Sequence, residues 1–206
     1  VQAFHRLAFT LVKAGLTPNQ ISVLSAVFAC FGGLCLLLAQ IYANTALQIT
    51  ALFGALLGIQ LRLLCNLIDG LMAVEGGKKT PYGELFNDFP DRVSDIALIL
   101  AAGYSVSLYT ESNQALVAWV AALCAVLTAY IRVLGASMGA PHFFLGPMAK
   151  QHRMALMNLG ILGSMAEIFR SGHFEHSLTV VLYLIAVGSA FTCLRRIAAI
   201  LKHFGA

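Results

Sequence analysis

CNLIDGLMAVEGGKKTPYGELFNDFPDRVSD, residues 65–95, carries most of the chain's nine acidic side chains and lies between long apolar runs. Asp69, Glu84, Asp88, Asp91 and Asp95 fall within it, and Asn66 and Asn87 interrupt the acidic pattern. Carboxylates in so oily a setting are costly to desolvate and require partners. At about 100° per residue, Glu84, Asn87, Asp88, Asp91 and Asp95 form one helical stripe roughly 100° wide. Arg62, Asn66, Asp69 and Ala73 recur at helical spacing, so they share a face of the preceding helix. A loop of about ten residues joins the two, which predicts antiparallel neighbours whose polar faces meet.

Repelling carboxylates gathered in a low-dielectric place need a cation. Oxygen-only donors suit a hard ion, Mg²⁺ or Mn²⁺, and Asn66 and Asn87 add carbonyl oxygens without adding charge. Gly70 and Gly83 lack side chains, so a ligand or helix can approach their backbone. The competing reading pairs Arg62 and Arg92 with Asp69, Asp95 or Glu84 as salt bridges that only fix packing. Two arginines cannot neutralise five acids, and the site reading prevails.

The rest of the chain sets the environment. With 59% hydrophobic and 11% charged residues among 206, it falls far below the roughly 25% charge of soluble domains. The pattern predicts one all-α integral membrane domain over residues 1–206. An amphipathic interfacial helix at 2–14 precedes six transmembrane helices at about 19–41, 45–73, 83–108, 113–137, 152–169 and 176–201. The start is too short and too punctuated by His5, Arg6 and Lys13 to read as a signal peptide. Lysines and arginines gather on one side, which predicts cytoplasmic termini and cytoplasmic 75–82 and 139–151 loops. The net charge of +4 then reflects topology and anionic headgroups, and nucleic acid is not expected as a partner. The five cysteines lie in apolar spans without CxxC spacing and read as buried thiols.

Two basic features stay open. Lys150, His152 and Arg153 open the fifth span either as a positive-inside anchor or as a phosphate pocket, with Arg153 the better bidentate partner. Arg132, in the fourth span, either snorkels to headgroups or points into the same cavity. Glu167, Arg170, His173, Glu175 and His176 resemble a solvated loop at the opposite end. Small-residue spacings such as Gly54/Gly58, and the pair Gly32 and Gly33, read as close helix packing.

DGLMA (69–73) followed by YGELFNDFPDR (82–92) resembles the signature of the CDP-alcohol phosphatidyltransferases, Asp-x-x-Asp-Gly-x-x-Ala-Arg and then Gly-x-x-x-Asp-x-x-x-Asp. AGLTPNQIS (14–22) is similar to that family's entry into its first span. The resemblance covers essentially the whole chain. It implies transfer of a phosphoalcohol group from a CDP-linked lipid such as CDP-diacylglycerol to a small alcohol, with release of CMP, in phospholipid synthesis. It also implies Mg²⁺ or Mn²⁺, a homodimer, and a cytoplasm-facing site in a bacterial inner membrane. Asp69, Gly70, Ala73, Gly83 and Asp91 match the signature. By its pattern Asp69 is a metal ligand, and Asp91 is both ligand and general base. Asn66, Val74 and Asn87 depart from it, as in a divergent bacterial branch that the chain resembles. The asparagines can still coordinate, and Asp88 and Asp95, adjacent on the helical wheel, supply what Asn87 lacks. The alternative is a weakened relative that binds CDP-lipid or a partner protein without turnover. A cation transporter ranks last, because no internal repeat supports it.

Overall fold

The computed structural model describes residues 2–75, 82–110 and 113–205. The 76–81 segment with Lys78 and Lys79, Glu111, and the side chain of Val74 lie outside the described residues. Seven helices follow one another: α1 (Gln2–Lys13), α2 (Pro18–Ile41), α3 (Thr45–Glu75), α4 (Gly83–Tyr109), α5 (Gln114–Ser137), α6 (Lys150–Ser171) and α7 (His176–His203). The described residues are all-α, as the sequence predicts.

The TPNQ stretch explains how α2 begins. Thr17 accepts from the Gln20 N–H at 3.3 Å, the Gln20 side chain returns the bond to the Thr17 N–H at 3.0 Å, and Pro18 starts the helix. This reciprocal box satisfies donors that a helix start leaves bare. Upstream, α1 lays Ala8 against Ile21, Cys65, Ile68 and Met72, so its apolar face covers the ends of α2 and α3.

Among the described residues four helices are long and apolar enough to cross a membrane: Pro18–Ile41, Thr45–Ala73, Gln114–Ser137 and His176–His203. Helices α4 and α6 fall short of that pattern because their sequences hold the charges. Asp88, Asp91, Arg92 and Asp95 occupy the first half of α4, and Lys150, Arg153, Glu167 and Arg170 occupy α6. At about 1.5 Å per residue these helices still extend about 40 and 33 Å, and Asp91, Asp95 and Arg153 are turned inward.

One expectation is corrected. Helices α3 and α4 do not pack along each other; α2 packs along both. Adjacent glycines permit this. A Cβ on Gly32 would meet the Ala55 carbonyl oxygen of α3 at 3.2 Å, and one on Gly33 would meet the Ala97 carbonyl oxygen of α4 at 3.3 Å. Gly58 faces Gly32 so closely that a Cβ there would lie 2.8 Å from the Gly32 Cα. Two helix backbones thus approach α2 on adjoining faces. Short linkage brings the polar faces of α3 and α4 within side-chain reach, while α2 takes the close backbone approaches to both.

At the opposite end Glu167 has a structural task that the sequence did not disclose. Its carboxylate accepts from the backbone N–H groups of Glu175, His176 and Ser177 at 2.7, 3.0 and 2.6 Å. It thereby caps α7 from α6, a favourable position for a negative charge.

Candidate functional site

The polar faces of α3 and α4 meet through side chains long enough to span their separation. Asn66 Nδ2 donates to Asp91 Oδ1 at 3.1 Å, and Arg62 Nη2 donates to Asp95 Oδ1 at 2.8 Å. Helix α2 contributes Ser22, whose hydroxyl donates to Asp69 Oδ2 at 2.5 Å. Asp69 is 5% exposed and has no ion-pair partner among the described residues. A Cβ on the neighbouring Gly70 would meet nothing within 4 Å, which leaves room beside it.

Asp95 lies one turn deeper than Asp91 and is 1% exposed. Arg62 holds one of its oxygens and Arg153 Nη2 the other, at 2.6 Å. Both oxygens are engaged by guanidinium groups, so Asp95, expected as a ligand, stands in this structure as the centre of a buried ion-pair network. Such a network fixes geometry, since removing any one member strands the others. Among the described residues no three histidine, cysteine or acidic side chains converge as a ready cage for metal. The donors that fit a hard cation are the oxygens of Asp69, Asp91 and the Asn66 amide, with Asn87 exposed at the cytoplasm-predicted end of α4. Ala73 is half-buried two turns from Asn66, and Gly83 starts α4.

On the far side of α4 a cavity of about 210 Å³ opens between α4, α5, α6 and α7. Asn87, Asp88 and Asp91 form its acidic wall; Arg92, Arg132, Lys150, Arg153 and Arg196 form its basic one. Asp69 and Asn66 lie outside it, so Asp91 joins two half-sites. Lys150 Nζ lies 2.6 Å from Asp91 Oδ2. Arg132 holds both oxygens of Asp88, at 3.2 and 2.9 Å, beneath the ring of Phe144 at 5.0 Å. Arg132 thus stands on the cavity wall. Arg153 is 1% exposed and donates also to the Met148 carbonyl at 2.7 Å. The Nε atoms of Arg132 and Arg153 are buried without a hydrogen-bond partner, an arrangement that an anion relieves.

Arg196 is one of the lysines and arginines whose one-sided distribution predicts the topology. In the structure it is 5% exposed and donates to the Leu145 carbonyl at 3.0 Å and to the Thr128 carbonyl. The Met148 N–H donates to the Thr192 hydroxyl at 3.1 Å, and Gly146, at φ 111°, lies against Thr192. The 138–149 segment is therefore strapped onto α7 and sets Phe144, Ala149 and Lys150 at the cavity. Helical phase contained the missed signal: Arg196 shares the buried face of Ser189, Thr192 and Cys193, whereas Arg195 is exposed.

The arrangement defines a helical bundle of membrane-protein composition with a carboxylate cluster beside a cavity lined by five basic side chains. No protein-family model matches the chain. The chain is 29% identical over 151 residues to the inner membrane protein YnbA of Escherichia coli, covering 73% of this chain and 69% of that one. It is 27% identical to the phosphatidylinositol phosphate synthase of Corynebacterium glutamicum, over 93% of this chain and 80% of that one. It is 24% identical to the same enzyme of Mycobacterium tuberculosis, over 97% and 86%. The crystal structure of the Mycobacterium tuberculosis enzyme with CDP-DAG bound shares the fold, with a TM-score of 0.79, 21% identity and coverage of 98% and 95%. The manganese and citrate complex of that enzyme gives a TM-score of 0.76. With the signature at 69–91, these relatives make the chain similar to the CDP-alcohol phosphatidyltransferases in sequence and in fold.

Proposed function

We propose that this chain transfers a phosphatidyl group from a CDP-linked lipid such as CDP-diacylglycerol to the hydroxyl of an acceptor that itself carries an anionic group, releasing CMP. The reading rests above all on one observation: Arg132 and Arg153 keep unpartnered Nε donors at a cavity that ends on Asp91. Around the two half-sites stand six basic side chains, Arg62, Arg92, Arg132, Lys150, Arg153 and Arg196, against four acidic ones, Asp69, Asp88, Asp91 and Asp95. A surplus of positive charge suits phosphate on both donor and acceptor. The mycobacterial relative's manganese supports a divalent cation at Asp69, Asp91 and Asn66, with Asn87 and Asp88 at its edge. Such an ion, Mg²⁺ or Mn²⁺, neutralises charge on the pyrophosphate and the leaving CMP.

The chain's own residues then divide the work. Asp91 takes the proton of the acceptor hydroxyl as its oxygen bonds to the lipid-bearing phosphorus, and the bond from that phosphorus to the CMP oxygen breaks. Arg132, Arg153 and Lys150 orient the anionic acceptor, and Asp95 positions Arg153. Gly70 and Gly83 leave room for the donor beside α3 and α4, with Ala73 beneath. Helices α4 and α6 complete six spans, their charges shielded in the bundle, and the site and both termini face the cytoplasm of a bacterial inner membrane. A homodimer among membrane lipids completes the assembly.

Purified protein with labelled CDP-diacylglycerol, Mn²⁺ and a panel of alcohols, with and without a phosphate group, tests this through CMP release. Asp91→Asn abolishes release, and phosphorylated acceptors outpace their plain counterparts. The second reading, a lipid-binding relative without turnover, is favoured by Asn66 and Asn87; CDP-lipid binding without CMP from any acceptor establishes it.

A further inference from the structure

Asp91 belongs to both half-sites, and its surroundings differ from those of Asp69 in one respect. Asp69 has no cation within ion-pair distance among the described residues, whereas Asp91 has Lys150 Nζ at 2.6 Å and Arg92 Nη2 at 3.8 Å on Oδ2 and Arg62 Nη2 at 3.6 Å on Oδ1. Asp91 is 4% exposed, so water does little to stabilise its charge, and the protein supplies the counter-ion. Of these three cations Lys150 alone is in direct contact and free to leave; Arg92 stands off at 3.8 Å with its Nε on the Asp88 carbonyl. Arg62 is fully buried and tied to Asp95, while Lys150 begins α6, has a side chain 22% exposed and faces the cavity. Its ammonium is a point charge on a flexible four-carbon stem.

We propose that Lys150 is an exchangeable placeholder: its ammonium and a divalent cation are alternative partners of Asp91, and entry of the metal moves Lys150 off the carboxylate toward the cavity. The inference rests on the metal reading of the proposed function. Two cations at contact distance on one carboxylate repel each other across a poorly screening interior. Asparagine at 66 and 87 removes two of the signature's negative charges, so little surplus charge remains to hold both. Once displaced, the ammonium shares the cavity wall with Arg132 and Arg153, where an anionic group gives it a new partner. The lysine thus couples metal entry to readiness for phosphate.

Mn²⁺ binding to the purified, detergent-solubilised protein, read as loss of the free-ion electron paramagnetic resonance signal, tests the exchange without any turnover. Lys150→Met binds Mn²⁺ on the order of ten-fold more tightly than wild type. Lys150→Arg, which keeps the charge, shows no such gain, and Lys150→Met adds nothing in an Asp91→Asn background. In the unmodified protein, Mn²⁺ accelerates acylation of the Lys150 amine by acetic anhydride, followed by peptide mass. Equal or weaker binding by Lys150→Met, or labelling indifferent to Mn²⁺, overturns the exchange. If wild type binds Mn²⁺ while Lys150→Met gains nothing, the metal reading stands and only the exchange falls. If no variant binds Mn²⁺, both fall.

Discussion

Ser22 and Asp69 are 47 positions apart, yet the Ser22 hydroxyl donates to the Asp69 carboxylate at 2.5 Å. The helix that the TPNQ box starts is therefore also the helix that aims the buried acid of the next one. A hydrogen bond to a charged group is worth about 1.5–3 kcal/mol. Ser22→Ala is expected to lower Mn²⁺ affinity and the rate of CMP release by roughly ten-fold or more. Ser22→Thr, which keeps the hydroxyl, restores most of both. Unchanged Mn²⁺ affinity in Ser22→Ala, measured by titration, removes Ser22 from the site.

Gly58 offers a test of the fold that leaves the site chemistry untouched. A Cβ there lies 2.8 Å from both the Gly32 Cα and the Phe28 carbonyl oxygen, and neither backbone atom can swing aside. Gly58→Ala is expected to cost about 1–3 kcal/mol through overpacking, seen as a lower thermal midpoint in detergent. Gly70→Ala, which meets nothing within 4 Å, leaves the midpoint in place and serves as the control.

Asp95 and Asp91 resemble each other in sequence and part company in consequence. Asp95→Asn strands Arg62 and Arg153 in the interior, at a cost of about 3–5 kcal/mol. Thermal unfolding detects that loss directly. Asp91→Asn removes CMP release while Arg62 retains its 2.8 Å partner on Asp95, and unfolding shifts far less. Equal midpoints for the two variants would contradict the division between network and base.

Arg132 provides the test of acceptor chemistry. Its guanidinium is 18% exposed, shared between Asp88 and the Phe144 ring. Arg132→Gln is expected to raise KM for a phosphorylated acceptor by roughly ten-fold, with a smaller change in kcat, because it removes binding rather than the proton transfer. An equal fall for plain and phosphorylated alcohols shows that Arg132 serves the donor instead.

How far the sequence carries can be judged from these same residues. The stripes on α3 and α4 were legible because helical phase is a property of spacing, and the structure joins Asn66 to Asp91 and Arg62 to Asp95 as that phase requires. The four apolar spans were legible from composition. The insertion of α2 was not, because Gly32 and Gly33 mark a close approach without saying which helices approach. Arg196 was hidden by its neighbour: Arg195 and Arg196 together read as an anchor, and only the buried phase of Thr192 and Cys193 separates them. The ion pairs of Asp95 with Arg62 and Arg153 were hidden because spacing gives the face of a residue but not its depth.

The position of α2 has a bearing on biogenesis. The acid half-site needs only Ser22, Asn66, Asp69 and Asp91, so its parts are complete once the first four helices have been inserted. The basic half-site draws Arg132, Lys150, Arg153 and Arg196 from α5, α6 and α7. Within those helices Asp95 has Arg62, and Asp91 has Arg62 and Arg92, as counter-ions, and α6 then adds Lys150 and Arg153. Arrival of the late helices both neutralises the early ones and builds the cavity, so charge balance in the membrane and completion of the site are a single assembly event.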